Sequence, residues 1–123
     1  MKKFFKIISY IYVIFLTIAF LIPLDFFLVT HFVEEENRPS NNSSYLIHII
    51  FFSILYLLFY FSFSDKLKIF LFCIFYSIVL EFVQLFTYRG FQFFDILFNI
   101  LGILISILLI LFFRNLISIK SRK

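Results

Sequence analysis

The chain has 123 residues, 63% of them hydrophobic, where a soluble domain carries about 45–50% apolar residues. That excess excludes an ordinary water-soluble fold and points to a membrane. The net charge of +4 is not a nucleic-acid footprint, because the positive residues stand at the ends of apolar segments rather than on one patch.

The 23 phenylalanines match what an AT-rich genome would encode and carry no functional signal. The single Cys73 lies inside an apolar run. It is expected to be a buried small hydrophobe and has no partner for an internal disulfide.

A helix crossing the hydrocarbon core needs about 20 mostly apolar residues. Four stretches meet that requirement: Ile7–Leu24, Tyr45–Phe63, Ile69–Tyr88 and Phe93–Phe113. With their flanks they predict helices over about 4–27, 45–63, 67–88 and 93–114, in one domain spanning 1–123. No alternating strands with turn signals compete, so a β-barrel is not expected. The fold class expected is an all-α membrane protein: four transmembrane helices in an antiparallel bundle.

The first helix begins with a basic Lys2, Lys3 and Lys6 group. Its apolar run is long and no small-residue cleavage site follows, so a retained helix is expected rather than a signal peptide. It closes with Pro23 and Asp25, and the stretch Thr30 to Ser44, "THFVEEENRPSNNSS", forms the one real loop. Its Glu34–Glu36 run reads as a solvated face and His31 as a loop residue. "SDKLK" and "RGFQ" are tight turns, which makes the second, third and fourth helices antiparallel neighbours.

Nine of the eleven Lys and Arg fall on the side of the termini and the second connection, against Arg38 and Arg89 on the other. Both termini are therefore expected in the cytoplasm. The Glu34–Glu36 loop and the Arg89 turn are then expected to face the periplasm or cell exterior.

That topology gathers the scattered polar residues. His48 lies one turn into the second helix, Glu81 and Gln84 near the end of the third, and Asp95 and Asn99 in the first turns of the fourth. All fall in the outer half of the membrane. Ser77, Glu81, Gln84 and Tyr88 share one helical face, as do Asp95, Asn99, Gly102 and Ser106. Such faces turn inward, since an ionised group in hydrocarbon costs roughly 2.5–3.5 kcal/mol on insertion scales. Gly102 and Ser106 form a small-xxx-small pair that admits another helix closely.

Plain readings stand beside each residue. Asp95 caps the fourth helix, Arg89 reaches lipid head groups, His48 bonds a neighbouring helix, and Asn99 joins two helices. Glu81 is the hardest to dismiss. Pairing with Arg89 or His48 would offset its cost and still be structural. Tyr45 and Tyr88 mark the outer interface.

The order His48, Glu81-x2-Gln84, Arg89, Asp95-x3-Asn99-x2-Gly102 resembles the VanZ-like family of small bacterial membrane proteins, over roughly Tyr45 to Ser106. Two positions depart from the family pattern. Ser44 and Tyr45 stand where it often has Asp-Lys, and Ser106 stands at a later glycine; Asp25 is one substitute for the missing acid. The resemblance implies a multi-pass envelope protein, in a family whose founding member is associated with low-level teicoplanin resistance.

Three functions remain open at this stage. The cluster could bind the head group of a lipid or lipid-linked envelope precursor, through Arg89, Gln84 and Asn99 with His48, Glu81 and Asp95 orienting them. It could belong to a membrane enzyme acting on a lipid phosphate or glycolipid. It could simply lock the helices, within a complex or homo-oligomer. Catalysis is left uncertain. No cofactor is expected and no metal motif is recognisable. A channel is disfavoured because the inner halves of helices two to four are nearly all Phe, Ile and Leu.

Overall fold

The computed structural model describes residues 2–22, 41–86 and 92–120, except the side chains of 41–44 and 118–120. Four α-helices fill that extent: α1 (Lys2–Leu21), α2 (Asn41–Ser62), α3 (Lys66–Gln84) and α4 (Phe93–Lys120). Each is long and apolar enough to cross a membrane, and no strand occurs among the described residues.

The helix ends differ from the expected bounds in ways the local sequence explains. α2 begins at Asn41 rather than Tyr45, so its first turn is the polar Asn-Asn-Ser-Ser. α3 closes at Gln84, where Leu85 and Phe86 form a turn by bonding back three residues to Phe82 and Val83. This tightening is a usual way to use orphan carbonyls at a helix end. α4 runs on to Lys120 instead of stopping near Arg114, because "RNLISIK" contains no Gly or Pro to end it. α1 reaches Leu21 with Ile22 in a bend; residues 23–27, Asp25 among them, lie outside the described residues.

The surface is apolar and part of the interior is polar. Phe4, Phe75, Phe86, Leu108, Phe112 and Phe113 are exposed, while Leu16, Phe52, Leu55, Cys73 and Ile103 form the buried core beside Ser9, Ser77 and Asn99. An exposed apolar surface of this extent is stable against lipid tails and not against water.

Lipid supplies no hydrophobic drive between helices, so close packing and interhelical hydrogen bonds must hold them. Ser9 pairs with Ser62 at 2.7 Å, Tyr12 donates to the Phe51 carbonyl at 3.0 Å, and Thr17 pairs with Tyr76 at 2.8 Å. Gln84 Nε2 donates to the Phe20 carbonyl at 3.0 Å. These contacts set α1 antiparallel to α2 and parallel to α3.

The most extensive packing is α2 on α4. Gly102 makes it possible: a Cβ there would collide with the Ile49 carbonyl oxygen and stand 3.1 Å from the Ile49 carbonyl carbon and Cα. At this seam Ser53 Oγ donates to the Gly102 carbonyl at 2.8 Å, and Ser106 Oγ donates to the Ser53 carbonyl at 2.9 Å.

The α2–α3 turn is held at both ends. Lys66 Nζ donates to the Tyr60 and Phe63 carbonyls at the end of α2. Asp65 caps α3 by accepting from the Lys68 backbone N–H at 3.2 Å. That bond, helped by the Lys68 side chain, holds the Asp65 carboxyl below the usual carboxylate range. Lys2, Lys3 and Lys6 of α1 line a groove with this turn, and Arg114 of α4 lies across from Tyr60 and Lys66. One end of the bundle is therefore basic and holds the starts of α1 and α3 with the ends of α2 and α4.

Candidate functional site

The opposite end holds the polar cluster. On α2, His48 is buried while Leu46, Ile47 and Ile50 face outward. On α3, Ser77, Glu81 and Gln84 recur at i, i+4, i+7 and are all buried, with Val79, Phe82 and Val83 exposed. On α4, Asp95, Asn99 and Ser106 are buried, while Phe94, Leu97 and Leu101 are exposed. Each helix carries one polar face, and the three faces meet.

His48 is the centre of that meeting. Its Nδ1–H donates to Asn99 Oδ1 at 2.9 Å, and the same nitrogen lies 3.9 Å from Glu81 Oε1. Its Nε2 lies 3.3 Å from Asp95 Oδ2, without the geometry of a hydrogen bond. His48, Glu81 and Asn99 are at most 1% exposed, and Asp95, at 6%, forms the rim. The Phe20 ring of α1 packs edge-on against the imidazole, with centroids 4.7 Å apart. Tyr45 stacks on Phe98 at 4.3 Å beside the rim.

Several buried atoms of the cluster have no hydrogen-bond partner among the described residues: Ser77 Oγ, Asp95 Oδ1, Asn99 Nδ2 and His48 Nε2. A buried polar group without a partner costs about 1–3 kcal/mol, and native interiors hold few of them. Three of these atoms, on His48, Asp95 and Asn99, lie around one point.

Of the residues singled out from sequence, His48, Glu81, Asp95 and Asn99 surround this one point. Gln84 sits at the last turn of α3 and is turned to α1 through its bond to Phe20. Gly102 and Ser106 lie deeper, on the seam with α2. Arg89, Tyr88 and Asp25 lie outside the described residues.

Phe20 and Ser53 were not singled out. Nothing in the sequence marks Phe20 among so many phenylalanines, whereas Ser53 is the one hydroxyl between Ile49 and Leu55 of α2. Between the cluster and the basic end the interior is filled by Phe52, Leu55, Cys73 and Ile103. About 22 Å of helix separates Asn99 from Arg114 at the ~1.5 Å rise per residue.

Fold and site together define an integral membrane protein: four spanning helices around a buried polar cluster at one end. The VanZ/LLP1 family model matches residues 2–114, and the chain belongs to that family. No curated protein and no solved structure matches it.

Proposed function

We propose that this chain binds the polar head of a lipid or lipid-linked envelope precursor at the His48–Glu81–Gln84–Asp95–Asn99 end, with Arg89 supplying a cation for phosphate or carboxylate. The observation that supports this reading is the pair of buried atoms, Asp95 Oδ1 and Asn99 Nδ2, without a hydrogen-bond partner among the described residues. A cluster that served packing alone would satisfy its polar atoms within the bundle.

The same reading places this end on the extracytoplasmic face of a bacterial inner membrane and both termini in the cytoplasm. Its support is the charge count, with nine of eleven Lys and Arg toward the other end. Reporter fusions at the two termini test the orientation: both should report the cytoplasm. An effect on teicoplanin susceptibility would follow from capture of a cell-wall precursor, and is checked by comparing host cells with and without the chain.

The decisive experiment is lipid mass spectrometry on protein purified in mild detergent. The wild type should carry a head-group-specific lipid in stoichiometric amount. Asn99→Ala and Arg89→Ala should lose most of it while remaining folded. Equal lipid in all three would sink the reading. Variants that lose thermal stability, with no specific lipid in any sample, would mean that the cluster only locks the helices.

A further inference from the structure

We propose that His48, Asp95 and Glu81 form a site for a divalent transition-metal cation, of the Zn²⁺ or Mn²⁺ type. The three side chains come from three different helices and each offers a ligand atom, all within 4.8 Å of one another. An imidazole nitrogen and carboxylate oxygens are the donor set such cations take.

The approach of His48 to Asp95 is the most telling feature. Nε2 and Oδ2 stand 3.3 Å apart yet make no hydrogen bond. Two ligands of one tetrahedral ion with bonds of ~2.0–2.1 Å are separated by roughly 3.3 Å. With Nδ1 bonded to Asn99 Oδ1, Nε2 is the ring nitrogen on the Asp95 side and the one a cation would take. Asn99 then has the role that outer partners of metal-bound histidines have, fixing the ring and its tautomer.

The site deepens the head-group reading and rests on it for one point only. Two carboxylates in a low-dielectric interior repel an anionic head group. A divalent ion cancels that charge and can be shared with a phosphate oxygen. Asn99 Nδ2, which has no partner among the described residues, remains as a donor for such an oxygen.

The test uses full-length protein without a histidine tag, stripped with a chelator in detergent and titrated with ZnCl₂ and with MnCl₂. The wild type should bind one ion per chain, and its melting temperature should rise on addition of the ion. Asp95→Asn and Asn99→Ala should weaken binding by about 10-fold or more. Substoichiometric binding by folded wild type, an unmoved wild-type melting temperature, or equal binding by the variants would each overturn the proposal. The wild-type measurements stand even if a variant fails to fold. The two readings fail separately: metal bound with no specific lipid ends the head-group reading alone, and specific lipid retained on a chain that binds no metal ends the metal site alone.

Discussion

Two stretches of the α2–α4 interface, about one turn apart, treat buried polar atoms in opposite ways. At the Ser53–Gly102–Ser106 seam, each serine hydroxyl has a backbone acceptor at 2.8–2.9 Å. At the His48–Asp95–Asn99 cluster, Nε2 of the histidine, one carboxylate oxygen and the amide nitrogen have none among the described residues. The same two helices supply both. The seam shows that this backbone can satisfy polar groups completely, so the open atoms of the cluster are a property of that place and not of loose packing.

Substitutions should separate the two. The largest loss is expected for Gly102→Val, because the obstacle is the Ile49 backbone, which cannot move aside without shifting α2. Overpacking typically costs about 1–3 kcal/mol, read as a lower melting temperature and a smaller folded fraction in detergent. An unchanged melting temperature would mean that α2 and α4 do not close here.

Asn99→Ala removes the acceptor of the buried His48 Nδ1–H and should cost about 1 kcal/mol, measured by the same unfolding titration. Ser106→Ala takes one satisfied hydroxyl from the seam. Its cost should be near the ~0.6 kcal/mol average for interhelical hydrogen bonds in a membrane.

Ser77→Ala removes a hydroxyl with no partner among the described residues, so stability should stay within about 0.5 kcal/mol or rise. A loss equal to that of Ser106→Ala would erase the contrast between seam and cluster.

The smallest effect is at Asp65, away from both regions. Its carboxyl is held below the ordinary carboxylate range, so its contribution is present above the unfolded pKa and fades as pH falls through the folded one. Asp65→Asn should lower the melting temperature slightly at neutral pH, and the two curves should converge as pH falls through the folded pKa of Asp65.

The four helices were legible because apolar length is a coarse signal that few other folds imitate. Their ends were not: α3 closes in a turn at Leu85 and Phe86, and α4 continues to Lys120, both decided within a single turn of backbone bonding. The shared face of Asp95, Asn99, Gly102 and Ser106 could be read from spacing alone. What that face meets could not. The His48–Asn99 bond joins residues 51 apart, and the Ser9–Ser62 and Thr17–Tyr76 pairs are separated by 53 and 59. Hydroxyls in apolar helices also bond their own backbone, as Ser9, Thr17 and Ser62 do. Their presence in a sequence therefore names no partner.

The Gly102 contact with Ile49 also imposes an order of events on the growing chain. Asp95 and Asn99 are on the last helix to be synthesised, so His48 and Glu81 enter the bilayer before the groups that complete their cluster exist. A chain halted before Phe93 would leave two ionisable side chains in lipid without them, and should be cleared by membrane proteases faster than the finished protein, which pulse-chase labelling of a truncated chain can measure. Docking of the fourth helix at the seam is thus the step that brings Asp95 and Asn99 to His48 and completes the cluster.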